Sequence, residues 1–407
     1  VNPAAPKVGS VRRHAIGTFD NFNTFIIKGN GATGTGFTYN SLMYGSADEA
    51  FSQYGELAEL VYTPKNRSWV AFKLRKEAKW HDGKPVTVAD VIWSFNTLVK
   101  KGSPFYRFYY GSVAKVTKAA ERTVRFDFKP GKNRELPLIL GQLTVLPKHY
   151  WEGRDFTKTT LDPPLGSGPY KIGSFEAGRF VVIERVKNYW GKDLPVNVGR
   201  YNIDRVVYEY YRDRDIAWEA FKAGLTDFRI DARAATWAIG YNFPAYQDGL
   251  IKRITVPDVN PSMMQAFVFN LREEKFQDPR VREALSLTFD FPWLNTNIFY
   301  NTYARTESFF QNSEMEAIGE PSEAELALLE PFRDELLASH QSERLFTDPL
   351  PIEHPVELRE RLRLALELLR EAGYRVDDGV LVNAEGRPLS LEVLLYDSGL
   401  ERVVQPM

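Results

Sequence analysis

The chain has 407 residues, of which 43% are hydrophobic, and its 52 basic and 53 acidic side chains give a formal net charge of −1. This length and composition predict a folded chain of two or three domains, and the balanced charge provides no overall attraction to nucleic acid. The absence of cysteine excludes disulfides, thiolate metal sites and cysteine nucleophiles.

Two features of the sequence bear on export. No apolar run approaches the roughly 20 residues that a membrane-spanning helix needs. Residues 1–6 (VNPAAP) contain neither Met nor a signal-peptide pattern. We therefore expect a start from which a signal sequence has been removed.

A glycine-rich segment lies near the start of the chain. Residues 29–34 (GNGATG) match the G-x-G-x-x-G pattern of dinucleotide-binding loops. Such a site requires a helix that begins at the third glycine, because the helix N-terminus faces the pyrophosphate. The chain continues with TGFTYN, which is typical of another loop. The pattern therefore favours a flexible loop, or a loop at the mouth of a ligand site, over a nucleotide site.

A strand, a turn and a helix are predicted in succession between residues 69 and 100. Phe72 and Leu74 alternate with charged side chains, as in a half-buried strand, and a turn with Gly and Pro (HDGKP) follows. Thr87 lies three residues before Asp90, which is typical of a capping box at a helix start. The apolar positions that continue at helical spacing are Val91, Ile92, Phe95, Leu98 and Val99.

The middle of the chain predicts further strands separated by turns, with one helix. Residues 162–169 (DPPLGSGP) hold the densest cluster of Pro and Gly and mark a candidate crossing between lobes. A helix over residues 215–223 ends at Gly224, which is typical of a C-terminal glycine. Alternating apolar side chains predict strands at residues 123–128, 180–184 and 206–211.

The second half of the chain predicts two buried strands and two helices. Residues 265–271 and 389–396 are apolar on both faces, which is typical of a central strand. One helix is expected to begin with Asp278 as its cap and Pro279 as its first residue. The other spans residues 356–372.

The last residues predict a helix that has barely begun. Residues 398–405 (SGLERVVQ) are typical of its first turns, and the sequence stops at Met407. Because an unpacked short helix is marginal in water, we expect a further C-terminal portion that completes the fold.

Aromatic side chains are concentrated between residues 291 and 310, with Asn295, Asn297, Asn301 and Arg305 interleaved among them. A ligand pocket combines aromatic walls with a few polar groups, so this pattern leaves core packing and partial ligand lining equally open. The aromatic members are Phe291, Trp293, Phe299, Tyr300, Tyr303, Phe309 and Phe310.

The sequence holds no strong pattern for catalysis or for a metal. Its five histidines are scattered without a pair at metal-binding spacing, and we interpret His81 as structural. Ser167 is followed by Pro169 and a strand, whereas a nucleophile elbow continues into a helix. We therefore expect no catalytic residue, metal or cofactor. A hydrolase or an NAD-dependent enzyme remains the alternative from another class.

Several motifs occur together along the chain, at residues 80–87 (WHDGKPVT), 166–172 (GSGPYKI), 188–191 (NYWG), 217–227 (AWEAFKAGLTD) and 278–285 (DPRVREAL). In this order they resemble the bacterial extracellular solute-binding proteins of family 5, which are the peptide- and oligopeptide-binding components of ABC importers. Two later segments are similar to the subgroup that binds microcin C and oligopeptides. They are residues 289–295 and 303–310.

The resemblance implies an α/β fold of the periplasmic binding protein type (type II, large three-domain subclass). It has two lobes, a hinge between them and an inserted extra domain. Residues 1–36 and 165–264 would form the first lobe, residues 37–164 the inserted domain, and residues 265–407 an incomplete second lobe.

The resemblance also implies a function. The protein would capture a peptide or peptide-like solute by lobe closure and deliver it to the membrane permease of an ABC importer. It would be periplasmic, and monomeric when complete. A non-peptide solute such as an oligosaccharide or opine, and a sensing role, stay open. Candidate ligand contacts are Phe19, Asp20, Asn21, Tyr39, Trp293, Asn297, Tyr300, Tyr303 and Arg305.

Overall fold

The computed structural model describes residues 2–47, 49, 51–257, 261–338, 346–347, 357–395 and 398–406. The chain forms two compact units, Val1–Ile230 (unit 1) and Asp231–Met407 (unit 2). Each unit has its own secondary structure and its own buried apolar side chains.

The first sheet of unit 1 joins strands from two separated stretches of the chain. β1 (Ser10–Ile16) pairs in parallel with β10 (Arg205–Tyr211). β10 is antiparallel to β9 (Phe180–Arg185), and β9 is antiparallel to β8 (Tyr170–Glu176). Three successive residues of β9 are buried, so both faces of this strand are covered: Val181, Val182 and Ile183.

The second sheet of unit 1 is antiparallel and carries one long helix. Its elements are β4 (Ala58–Tyr62), β5 (Trp69–Leu74), β6 (Val113–Ala120), β7 (Thr123–Phe128) and the helix α1 (Val88–Lys101). The strand order is β4-β5-β7-β6. Phe72 on β5 and Phe126 on β7 are fully buried, with ring centroids 6.1 Å apart. Helix α1 packs on β6 and β7 through its apolar stripe, which includes Val91, Phe95 and Leu98.

The start of α1 confirms the capping box that the sequence predicts. Thr87 Oγ1 accepts a hydrogen bond from the Asp90 amide (3.3 Å), and Asp90 Oδ2 accepts one from the Thr87 amide (2.9 Å). The other oxygen of Asp90 accepts from the amide of Lys148 (2.9 Å). The carboxylate therefore both caps the helix and anchors the segment that leads into α4 (Lys148–Trp151).

Shorter elements complete unit 1. They are β2 (Met43–Gly45), β3 (Gln53–Gly55), α2 (Pro104–Tyr109), α3 (Leu136–Gly141) and α5 (Arg214–Lys222). Helix α5 begins after Asp213, whose Oδ1 accepts from the amides of Asp215 (3.1 Å) and Ile216 (2.9 Å). It ends before Gly224, which has a φ of +73°.

Unit 2 is organised around two helices, α7 (Pro279–Leu287) and α11 (Leu358–Glu371), which pack on each other. Asp278 caps α7 by accepting from the amide of Arg280 (2.9 Å), as the sequence predicts. Arg361 of α11 is 4% exposed, and its Nη2 lies 2.8 Å from Asp290 Oδ1. The apolar core between the helices includes Val281, Ala284, Leu287, Ala365 and Leu369.

The other α-helices of unit 2 are short, and the described residues of this unit form one hairpin of two strands. The helices are α6 (Pro244–Gln247), α8 (Phe291–Asn297), α9 (Glu323–Leu329), α10 (Arg333–Ala338) and α12 (Glu401–Val404). The strands are β11 (Arg375–Asp377) and β12 (Val380–Val382).

Two strands predicted for this half of the chain are wrong. Residues 265–271 carry no strand and are largely exposed, with Val268 91% exposed. Residues 389–395 are also irregular, and Leu394 is 94% exposed, while Tyr396 lies outside the described residues. A strand needs a neighbour for its backbone hydrogen bonds, and the described residues supply neither segment with a ladder.

The boundary between the units falls after Ile230, so residues 231–264 belong to unit 2. The family resemblance instead assigns residues 231–264 to the first lobe. The three-part division into lobes and inserted domain stays a prediction.

Candidate functional site

The motifs singled out in the sequence converge on one place in unit 1, which we call the motif junction (residues 38–41, 56, 81, 166–168 and 189–190). The amide of His81 donates to the carbonyl of Gly166 (2.8 Å), and its Nε2 donates to the carbonyl of Gly168 (2.9 Å). Trp190 Nε1 donates to the carbonyl of Ser167 (2.8 Å). Burial lowers the pKa of His81. The prediction that His81 is structural is therefore confirmed.

The two glycines of the GSGP motif allow two backbone segments to touch. A Cβ on Gly166 would lie 1.8 Å from the carbonyl oxygen of Thr38, and one on Gly168 would lie 2.5 Å from that of Phe37. The Gly168 amide donates to the same Thr38 carbonyl (2.8 Å). Only residues without a side chain can approach this closely, so steric need accounts for both glycines.

A buried carboxylate lies at the centre of the motif junction. Glu56 is 3% exposed, and its Oε1 accepts from Asn40 Nδ2 (2.6 Å), while its Oε2 accepts from the amide of Ser41 (3.0 Å). Asn40 Nδ2 also donates to the Tyr189 hydroxyl (3.0 Å), and Asn40 Oδ1 accepts from Ser167 Oγ (3.0 Å). Burial raises the pKa of Glu56 above its ordinary value.

This network decides between two interpretations of Ser167. Its side chain is fully buried, and its hydroxyl donates to an amide oxygen. A nucleophilic serine instead needs a base that removes its proton and access to a substrate. Ser167 is therefore a structural residue.

Three of the predicted ligand contacts lie together in the loop after β1. Phe19 is 1% exposed and packs on Tyr210, with centroids 4.9 Å apart. Asp20 Oδ1 accepts from the amide of Asn30 (2.6 Å). Asn21 is buried, and its Nδ2 donates to the carbonyls of Asn23 and Lys28. Asp20 is the member of this group whose side chain is exposed.

Tyr39, the fourth predicted contact in unit 1, lies apart from that loop. It is 8% exposed and belongs to the core of the second sheet, with its ring 5.3 Å from that of Phe25. The structure thus brings Phe19, Asp20 and Asn21 together and leaves Tyr39 in another core. Their role in lining a ligand stays a prediction.

The glycine-rich loop ends differently from a nucleotide site. A four-residue 3-10 helix, Thr35–Thr38, follows Gly34, and a Cβ on Gly34 would lie 2.6 Å from the ring of Tyr208. Close packing against Tyr208 and a φ of +86° explain this glycine. No α-helix begins there, so the geometry lacks the N-terminus that a pyrophosphate requires.

The five predicted contacts of unit 2 lie on α8, in the turn that follows it and in the irregular segment up to Arg305. Trp293 is 46% exposed and Tyr303 is 45% exposed. Asn295 fixes the turn, because its Nδ2 donates to the Tyr303 carbonyl (2.9 Å) and its Oδ1 accepts from the Tyr303 amide (3.3 Å). Tyr300 has a φ of +53°, which the turn imposes.

The polar members of this group have hydrogen bonds outside the turn. Asn297 Nδ2 donates to the Trp293 carbonyl one helical turn earlier (2.9 Å). The Arg305 carbonyl accepts from Gln311 Nε2 (3.3 Å). Together the segment presents exposed rings beside amide and guanidinium groups, and its role in binding stays a prediction.

Sequence reasoning missed Glu56 and Asn40, the residues that hold the motif junction together. The available signal was a carboxylate flanked by small and apolar residues, with a second one at Glu59 (GELAEL, residues 55–60). That signal does not identify Asn40 as a donor to Glu56, nor the bonds of Asn40 to Tyr189 and Ser167, which are more than a hundred positions away.

The described residues carry neither a metal cluster nor a membrane-spanning helix. In that part of the chain, no group of three or more His, Asp or Glu side chains is placed to hold a metal ion. Likewise, none of the described helices has the length and apolar composition needed to cross a membrane.

Comparison with known proteins identifies the family. The sequence profile described as bacterial extracellular solute-binding proteins, family 5 (middle region), matches residues 53–405. The chain therefore belongs to this family, which confirms the resemblance carried by its motifs.

Two curated relatives illustrate the similarity. Protein y4wM of Sinorhizobium fredii is 44% identical, and the alignment covers 100% of this chain and 62% of that protein. The probable peptide-binding protein YejA of Agrobacterium fabrum is 42% identical, with coverage of 100% and 67%. The chain thus spans 62–67% of the length of these relatives.

A solved structure shares the fold. The periplasmic oligopeptide-binding protein of Thermotoga maritima, bound to mannohexaose, matches with a TM-score of 0.65 and 20% identity. The match covers 95% of this chain and 66% of that one. The predicted fold class, an α/β periplasmic binding protein, is confirmed.

Proposed function

We propose that this chain belongs to an exported, non-enzymatic binding protein that captures a peptide or peptide-like solute and delivers it to an ABC importer. The observation that carries the proposal is the family match over residues 53–405. The 42% identical relative named as a probable peptide-binding protein supports a peptide as the solute.

Capture requires contacts that are stronger in a closed state than in an open one. Solute contacts from both lobes shift the equilibrium towards closure, and the importer distinguishes closed from open protein. On this proposal the exposed rings of Trp293, Tyr300 and Tyr303 stack on the solute, because such rings combine large area with a polar tip. Asn297 and Arg305 would bind its polar groups, and Asp20 is the exposed candidate contact of unit 1.

The state of the reactive side chains supports binding without turnover. Ser167 is buried and bonded to Asn40, and His81 is bonded to the backbone of the GSGP loop. Neither is placed to attack a substrate or to transfer a proton to one.

A non-peptide solute is the second candidate. The Thermotoga maritima protein of the same fold holds mannohexaose. Exposed aromatic rings flanked by amides, as on α8 and its following turn, are also suited to stacking on sugar rings.

The remaining parts of the proposal concern location and partners. Membership of an extracellular binding family supports a periplasmic protein. Its macromolecular partner would be the membrane permease of an ABC importer, and the protein would act as a monomer.

Isothermal titration calorimetry tests the proposal. Short peptides of varied composition and mannohexaose are titrated separately into the protein, and recovered solute is analysed by mass spectrometry. We expect saturable binding of intact solute, with Trp293→Ala weakening affinity about tenfold. Phe108→Ala, at a ring 86% exposed in unit 1, is the matched control and should leave affinity unchanged. Solute recovered in cleaved or oxidised form would contradict the proposal.

A further inference from the structure

A strongly basic cavity lies at one end of the second sheet of unit 1. The turn between β4 and β5 and the segment between β7 and α3 border this cavity, which is open to solvent and has a volume of about 520 Å³; ten of its twelve lining residues are exposed. No acidic residue is among the twelve that line it, although the chain as a whole has a net charge of −1. Five of the lining residues are cationic: Lys65, Arg67, Lys129, Lys132 and Arg134.

The carboxylates of this sheet are engaged elsewhere. Asp127 pairs with Arg125 at 2.6 Å, and Glu59 pairs with Lys73 at 2.8 Å and with Arg122 at 3.2 Å. Among the described residues, none of the five cavity cations forms an ion pair. Residues 65–68 and 128–136 thus carry five cations and one carboxylate, Glu135, and this excess of positive charge raises the local concentration of anions.

The walls of the cavity are tied together. Arg67 donates from one guanidinium nitrogen to the carbonyl of Arg134 (2.7 Å), which joins the two segments. Its backbone has a φ of +50°, a left-handed conformation that is strained for a non-glycine residue. Lys129 Nζ donates to the carbonyl of Gly111 (2.7 Å). Both cations keep further N–H groups for a ligand.

The shape and lining of the cavity indicate the chemistry of its occupant. Phe128 and Leu136 contribute apolar surface to the lining. A phosphate group accepts several charge-assisted hydrogen bonds from Arg and Lys, and an open surface site is accessible to such a group. A protein partner would instead favour a larger face, and interfaces are depleted in Lys.

We propose that the basic cavity is a binding site for a phosphate-bearing group. The group would come from a free phosphorylated solute or from the headgroup of an anionic lipid. The site lies within residues 65–136 and includes none of the candidate solute contacts. Binding of a phosphate-bearing group can therefore be tested separately from capture of a transported solute.

The first experiment is a titration of the protein with inorganic phosphate at an ionic strength of about 20 mM, where screening is weak. Binding is followed by calorimetry. Lys132→Glu/Arg134→Glu should weaken binding at least about tenfold, because it replaces two attractive charges by repulsive ones. Lys76→Glu/Lys79→Glu is the matched control with the same change in net charge. It lies beyond the opposite end of β5 and should change affinity less than about twofold.

The second experiment measures flotation of the same three proteins with vesicles of phosphatidylglycerol or of phosphatidylcholine. Phosphate binding without flotation would identify a soluble anion as the ligand. Flotation with phosphatidylglycerol alone, lost in the cavity variant and kept in the control, would identify a headgroup. Failure of both probes to bind, or equal loss in the two variants, would overturn the proposal. Thermal melts of all three proteins verify that each is folded.

Discussion

Apolar segments that predict strands form strands in unit 1 but not in unit 2. In unit 1, the strands predicted at residues 123–128, 180–184 and 206–211 all form, and each pairs with a neighbour. In unit 2, the equally apolar residues 265–271 and 389–395 form no strand. Helices are predicted in both units and form in both.

The difference follows from what each element needs. A helix satisfies its backbone hydrogen bonds within itself, so a cap and a periodic apolar stripe are enough to predict α1 and α7. A strand depends on another strand that is distant in sequence. An apolar pattern therefore predicts that a segment can pair, and the rest of the chain determines whether it does.

The largest expected effect concerns the close approach at the motif junction. Gly166→Ala would place a Cβ 1.8 Å from the Thr38 carbonyl oxygen, and we expect it to lower the free energy of unfolding by about 3 kcal/mol or more. Gly45→Ala, which meets nothing within 4 Å, is the control and should change it by less than about 0.5 kcal/mol. Urea unfolding followed by far-UV circular dichroism measures both. Equal changes in the free energy of unfolding for the two variants would show that the close approach of Gly166 to the Thr38 carbonyl does not limit stability.

A matched pair of valines tests the contrast between the units directly. Val70 on β5 is fully buried, whereas Val268, in a segment wrongly predicted to be a buried strand, is 91% exposed. Val70→Ala should lower the free energy of unfolding by about 2 kcal/mol, because it removes buried apolar surface and leaves a cavity. Val268→Ala should change stability by less than about 0.5 kcal/mol. A comparable loss at Val268 would mean that this segment is packed in solution.

The capping box gives a smaller effect. Thr87→Ala removes the acceptor for the Asp90 amide and should cost about 1 kcal/mol of stability. Thr87→Ser keeps the hydroxyl and should be close to neutral. Solute affinity should be the same in both variants. A large loss of affinity without destabilisation would assign the WHDGKPVT motif to binding.

The smallest effect is a dependence of stability on pH. Burial raises the pKa of Glu56, so the folded chain holds a proton there that the unfolded chain has already released. Its contribution to stability is therefore complete below the ordinary carboxyl pKa of about 4.3 and is lost as pH rises through the raised value. Glu56→Gln should remove this decline in chemical denaturation measured at several pH values.

Glu59 provides a control, because its effect on the pH dependence of stability has the opposite sign. Its hydrogen bond from Lys73 lowers the pKa of the Glu59 carboxyl. The contribution of Glu59 to stability is present above the ordinary carboxyl pKa and is lost as pH falls through the lowered pKa of the folded state. Glu59→Gln should therefore flatten the acidic side of the stability curve and leave the decline assigned to Glu56 in place.

The sequence predicts local structure and family well and long-range geometry poorly. The Thr87 cap and β7 are predictable because their signals lie within a few residues. The family is predictable because its motifs are short and follow one another in a fixed order along the chain. The partnership of Glu56 with Asn40 and Ser41 is not predictable, because a carboxylate in the sequence does not reveal which distant donors will surround it. Burial of Phe19 and Tyr39 in separate cores likewise depends on tertiary packing.

Native mass spectrometry of the protein mixed with short peptides and mannohexaose tests solute capture itself. We expect a one-to-one complex with an intact solute, whose mass is unchanged when it is released by unfolding. Detection of the solute-free protein alone, or of solute released in a chemically altered form, would contradict the assignment as a solute-binding component of an importer.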